Sequence, residues 1–270
     1  MRLRVSEWIV LTYFAYLAGT AIAVPLASDR RRRIVSVAMF VAATVLSVAA
    51  FGETGSAAVF RNWLPLAYIV IGYWLPASLV TAPDEVFERV LLTLDDRWCG
   101  RDRLAAFAAR GPRRLVETFE LAYSLCYPLV PAGLACLHLA GLQDETNRFW
   151  TAVLLAVFSS YGALPWLPTR PPRAVERPTV QSRSRTRSVN LKMLSLASIQ
   201  LNTFPSGHAA ASLATALAVG ARLPLAGLVL GLIALMISVG SVTGRYHYAA
   251  DVLTGAALAL IAFVVSRIVQ

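Results

Sequence analysis

Lysine is almost missing from this chain: of 25 basic residues only Lys192 is a lysine, and the rest are arginine. An anion site built from these residues therefore relies on planar guanidinium forks, which match phosphate oxygens in pairs, and hardly at all on ammonium groups. Charge of any kind is also scarce, at 15% of 270 residues, while hydrophobic residues make up 57% and the mean hydropathy is +0.61. These values exclude an ordinary water-soluble globule. Three cysteines, Cys99, Cys126 and Cys136, form an odd set without CxxC spacing. That excludes a disulfide framework and a cysteine-based metal site, and the last two read as packing residues in an apolar span. The net charge of +10 is carried by arginines lying between long apolar segments, with no nucleic-acid motif. Anionic membrane lipid, not nucleic acid, is the partner this pattern fits.

What the sequence does have is apolar runs long enough to cross roughly 30 Å of hydrocarbon. They lie at 8–27, 34–51, 62–82, 121–142, 149–169, 205–221, 223–244 and about 248–268, which predicts eight spans. The expected fold class is an all-α polytopic membrane helix bundle, with two extra N-terminal transmembrane helices in residues 1–61 and a six-helix catalytic core in 62–270. Residues 83–114 mix Val86, Val90, Leu91, Leu94 and Trp98 with Arg, Asp and Glu, the pattern of an amphipathic insert lying in the interface. Asp95 and Asp96 within it are expected on the solvated face, in preference to a metal site. Residues 169–204 are rich in Pro, Ser and Arg and read as a basic surface loop, in which Arg183, Arg185 and Arg187 serve orientation and lipid attraction. His138 reads as a satisfied core histidine, and Glu120 equally as a contact for a polar headgroup or as a surface residue at the interface. With eight spans the loops on one side hold nineteen basic residues and those on the other hold six. The positive-inside rule then assigns the richer side to the cytoplasm, in a bacterial plasma membrane.

The other two histidines begin apolar spans, His208 in FPSGHAAAS and His247 in TGRYHYAAD. The intervening span runs away from that face and returns, so both imidazoles are expected at similar depth. His247 and Asp251 are four apart on one helix face, so the carboxylate can accept the Nδ1 proton and leave Nε2 free to attack. This is the base-and-orienter logic of catalytic triads, with histidine itself as nucleophile. Ser206 and Gly207 precede an Ala-rich helix whose free N–H groups can face an anion. Arg170 and Arg173 in the stiff TRPPR turn, together with Arg245, are expected to clamp the non-bridging oxygens of a phosphoryl group. His208 is then free to protonate the leaving oxygen.

FPSGH and HYAAD resemble two motifs of the type 2 phosphatidic acid phosphatase (PAP2) superfamily, over about residues 115–262. The resemblance implies that His208 is the general acid, that His247 carries a phosphohistidine intermediate, that Asp251 orients it, and that no metal or other cofactor is needed. It also implies a lipid phosphate or diphosphate as substrate, with phosphoalcohol transfer onto a lipid alcohol as the alternative reaction. A silent lipid-binding or transport protein is a third reading. Its weakness is that nucleophile, orienter, acid and arginines are all present. The chain departs from the family pattern at Ala163, where a lysine stands seven residues before the Arg-Pro, and at Ser241, where an arginine stands six before the nucleophile. The TRPPR turn and the short HYAAD form are more similar to the inositol-phosphoceramide-synthase-like branch. A single cysteine introduced into the 169–203 segment is expected to react with a membrane-impermeant maleimide from the cytoplasmic side of oriented vesicles; labelling from the opposite side would reverse the topology.

Overall fold

Apolar sequence taken out of water must satisfy its backbone N–H and C=O groups within itself, and helices result. The computed structural model describes residues 2–52, 55–176 and 184–269, and among them there is no β-strand, only an isolated bridge between Thr169 and Asn202. The chain runs through α1 (Val5–Ala23) and α2 (Ser28–Ala50), then α3 (Gly55–Trp63), α4 (Pro65–Trp74) and a 3-10 turn at Leu75–Leu79. The amphipathic segment forms α5 (Glu85–Cys99) and α6 (Arg101–Arg110), separated by Gly100 at a φ of 71° that favours glycine. Next come α7 (Arg113–Ser124), α8 (Cys126–Leu139), α9 (Thr146–Gly162), α10 (Pro172–Val175) and α11 (Arg185–Ala197). The last three are α12 (Gly207–Gly220), α13 (Pro224–Thr243) and α14 (Ala249–Ile268).

The centre of the bundle is α9, which packs on α1, α12 and α14 and has Ala152, Val153, Leu154 and Ala156 fully enclosed. Small residues let the helices around it come close. A Cβ on Gly227 of α13 would lie 2.1 Å from the Cα of Gly220 of α12, and one on Gly133 of α8 would lie 2.3 Å from Thr215. Tyr13 of α1 stacks on Phe158 at 4.1 Å and donates its hydroxyl to the Gly72 carbonyl, joining the N-terminal helices to the core. His138 meets the Thr146 hydroxyl at 3.0 Å, so its ring has the expected partner, but it lies half-buried at the edge of the core.

Among the described residues four helices, α1, α2, α13 and α14, are long and apolar enough to cross a membrane, and a fifth span arises if α7 and α8 count as one. These mark the chain as an integral membrane protein. The difference from eight has a geometric cause: the runs at 62–82 and 121–142 are each divided between helices, and those at 149–169 and 205–221 form helices of only 17 and 14 residues. α7 and α8 meet at a bend of 59°, and α12 makes only about 21 Å of helix.

Two surface expectations are corrected. Asp96 is exposed, but Asp95 is fully buried, because α5 turns Glu88, Leu91 and Asp95 inward while Val86 and Val90 face out. The 169–204 segment is not loop throughout. Ser184 caps α11 by accepting from the Arg187 N–H, and the Glu117 carboxylate on α7 accepts from the N–H groups of Arg185 and Thr186. A negative group at the first turn is what favours a helix there. Arg183 lies outside the described residues.

At the opposite end from the histidines, Glu7 of α1 accepts from Arg61 of α3 at 2.6 and 2.7 Å, and Arg4 donates to Asn62 at 2.7 Å. Both Glu7 and Arg61 are buried, so removing one charge strands the other. Glu7→Gln is expected to cost about 3–5 kcal/mol, read as a lower unfolding midpoint in detergent, and Glu7→Leu with Arg61→Leu together should recover much of that loss.

Candidate active site

The site is assembled from two loops and the starts of two helices. Thr169 and Thr203 tie the loops together: the Thr169 N–H donates to the Leu201 carbonyl at 2.8 Å, and the two threonine hydroxyls are 2.6 Å apart. The second loop then runs into Ser206, whose N–H donates to the Asp251 carbonyl at 2.9 Å and whose hydroxyl caps α12 by accepting from the Ala209 N–H. Gly255 of α14 lies directly behind. A Cβ there would sit 2.4 Å from the Ser206 carbonyl oxygen, so α14 and the PSGH turn touch backbone to backbone. Gly207 is needed for a similar reason, since a Cβ would be 2.6 Å from the Tyr161 ring.

His247 precedes α14 and is buried. Its Nδ1 is 3.0 Å from the Thr203 carbonyl oxygen and 3.3 Å from Asp251 Oδ2. A carbonyl oxygen only accepts, so Nδ1 carries the proton and Nε2 keeps its lone pair. Asp251 Oδ2 also accepts from the Tyr248 N–H at 2.9 Å, so the carboxylate holds both the ring and the start of α14. The His208 ring stands edge-on to that of His247 with centroids 5.6 Å apart, and its other neighbours are the rings of Tyr123 at 5.4 Å and Tyr127 at 5.9 Å.

His208, His247, Gly207 and Arg173 line one cavity. Arg173 is fixed from the backbone, its N–H donating to the Arg245 carbonyl, and its Nη2 donates to Gln200 at 3.0 Å. Its guanidinium lies 5.1 Å from the centroid of the Tyr246 ring. Among the described residues, these partners of Arg173 are all neutral. The other two arginines of the expected clamp do not line this cavity. Arg170 is held by Glu88, with contacts of 2.7, 3.0 and 3.2 Å, and Arg245 by Asp95 at 2.8 Å and by Glu176. Both engage carboxylates behind the cavity wall, and Ser206 serves as a cap.

Several wall residues carry no motif. Tyr246 stacks on Tyr123 at 4.1 Å and donates to Glu120 at 2.5 Å, while Glu120 also accepts from Arg187 and Asn190 of α11 at 2.9 Å each. Glu120 is thus a buried anchor, not an interfacial residue, and Arg187 is part of the wall's support. The available signal is the spacing of Val116, Glu120 and Tyr123, which marks one buried face of α7.

A family model of the PAP2 superfamily matches residues 91–265. The chain belongs to the PAP2 superfamily. The match spans α5 from Leu91 onward and reaches most of α14, so it includes both histidines, Asp251 and the arginines discussed above. Comparison with curated proteins and with solved structures gives no match. Membership brings a phosphatase-type function on phosphate esters in a membrane setting.

Burial drives the His247 imidazole down to about 4, with the Thr203 hydrogen bond opposing the shift and the Arg173 charge adding to it. The ring is therefore neutral in the folded protein well below the ordinary histidine value of about 6.5. An unfolded chain takes up this proton near pH 6.5 and the folded chain does not, so stability falls as the pH drops from about 6.5 toward 4. NMR of ¹⁵N-histidine-labelled protein is expected to show His247 unprotonated from about pH 8 to about pH 5; a midpoint near 6.5 would mean that the ring is solvated.

Proposed function

We propose that this chain is a membrane lipid phosphatase that hydrolyses a lipid phosphate or diphosphate ester through a phosphohistidine at His247. The observation that carries the reading is the Nδ1 contact with the Thr203 carbonyl at 3.0 Å, which fixes the tautomer and leaves Nε2 as the nucleophilic atom. Nε2 attacks phosphorus, the bond from phosphorus to the ester or bridging oxygen breaks, and His208 delivers a proton to that oxygen. Arg173 meets the non-bridging oxygens with paired N–H groups, and the N–H groups at the start of α12 lie beside it. Water then attacks phosphorus from the same cavity and gives its proton to His208, the P–N bond breaks, and inorganic phosphate leaves. A lipid alcohol in place of that water gives a phospholipid or sphingolipid headgroup transferase of the inositol-phosphoceramide-synthase-like kind. The chemistry of His247 is common to both. On the eight-span division read from the sequence, the arginine count supports an active face on the cytoplasmic side of a bacterial plasma membrane.

The test is phosphate release by purified protein in detergent, with EDTA present, across phosphatidic acid, polyprenyl phosphates and diphosphates, and sphingolipid phosphates. Release that persists in EDTA and is abolished in His247→Ala is expected. Arg173→Lys, which keeps the charge and loses the fork, should lower kcat on the order of 10²-fold. Headgroup exchange on adding a lipid alcohol, without release from any donor, would select the transferase. Silence in both assays from folded protein would refute an enzymatic role.

A further inference from the structure

Asp95 is an aspartate on an amphipathic helix, yet it is fully buried, with both carboxylate oxygens engaged by groups on either side of His247. Asp95 Oδ2 accepts from Arg245 Nη1 at 2.8 Å, and Asp95 Oδ1 accepts from the Ala249 N–H at 2.7 Å. Arg245 stands two residues before His247 and Ala249 two residues after it. One carboxylate on α5 therefore spans the short segment that carries the nucleophile.

Both contacts relieve a cost in that segment. Ala249 is the first residue of α14, where a backbone N–H has no partner within the helix, and Asp95 supplies an acceptor from a different helix. Arg245 has a φ of 59°, a left-handed conformation that a non-glycine residue keeps only when its surroundings hold it there. Apolar contacts reinforce the brace. Leu91 of α5 packs with Tyr248 and Ala250, and Phe87 meets Phe204 edge-on at 5.0 Å, next to the Thr203 carbonyl that fixes the His247 ring.

Building on the reading of His247 as nucleophile, we infer that Asp95 is a positioning residue: by holding Arg245 and Ala249 together it sets the depth and angle at which Nε2 meets phosphorus. It touches no reacting atom. Near-attack geometry is sensitive to displacements of about 1 Å, which cost on the order of 10²-fold in rate. Charge at Asp95 matters because a neutral amide can still accept from Ala249 while it loses the ionic hold on Arg245.

The experiment uses the full-length protein in detergent with Asp95→Asn, and with Asp95→Ser should the first variant fail to fold. Two readouts are taken, steady-state phosphate release and the ¹⁵N spectrum of the histidines. The expected result is a kcat lower on the order of 10²-fold with KM changed by less than about threefold, together with shifted His247 resonances and unmoved His138 resonances. Glu145→Gln, which breaks the ion pair with Arg222 at the start of α9, away from His208 and His247, should leave the His247 resonances in place. His247 signals that do not move in the Asp95 variants, or a loss confined to KM, would overturn the inference. Wild-type protein that acts on no donor would overturn the phosphohistidine reading instead, and the histidine spectrum would still decide on Asp95.

Discussion

Most of the charges that this bundle takes out of water are answered inside it by a charge of opposite sign, and the architecture follows from where those answers lie. At one end Glu7 meets Arg61 and fastens α1 to α3. At the other end Glu88 meets Arg170, Asp95 and Glu176 meet Arg245, and Glu120 meets Arg187. Each pair joins segments far apart in sequence, so the pairs act as long-range ties. A desolvated guanidinium without its carboxylate costs several kcal/mol, and this cost selects one arrangement of the loops over the many that apolar packing alone would tolerate.

The reactive end depends on a second constraint, close backbone approach. Gly255 lets α14 rest on the Ser206 carbonyl, and Gly207 leaves room for Tyr161. With the PSGH turn pressed against α14, the Thr203 carbonyl comes within reach of His247 Nδ1. The imidazole is thereby oriented by a backbone dipole as well as by Asp251. A carbonyl at this position needs no counter-ion, whereas Asp251 spends part of its capacity on the Tyr248 N–H.

Much of this was legible in the sequence, and what was not has physical reasons. Helical class, the two histidines and the four-residue spacing to Asp251 follow from apolar runs and from side-chain chemistry at fixed offsets. The Thr203 carbonyl was not legible, because any residue can supply a backbone acceptor. The roles of Arg170 and Arg245 were read from charge alone, and charge does not say whether a phosphate or a neighbouring carboxylate will be the partner. Asp95 resembled its neighbour Asp96 because the stripe of Glu88, Leu91 and Asp95 mixes charge with apolar character, and only the helix opposite decides which face is buried. The helix α11 was hidden by its Ser and Arg content. Its stability comes from Glu117 and Glu120 on α7, contacts that no local propensity reports.

Arg173 is the case in which the fold's own pairing stops short, since among the described residues its partners Gln200 and Tyr246 offer dipole and ring face but no negative charge. On the proposed reading, the phosphate group of a substrate supplies at Arg173 the negative charge that Glu88 and Asp95 supply elsewhere, so binding and folding draw on the same charge. Anything that binds the folded chain and not the unfolded one adds to its stability in proportion to the logarithm of its concentration. On that reading the substrate is itself one of the long-range ties of the bundle, and its concentration enters the stability of the loops that meet at Arg173.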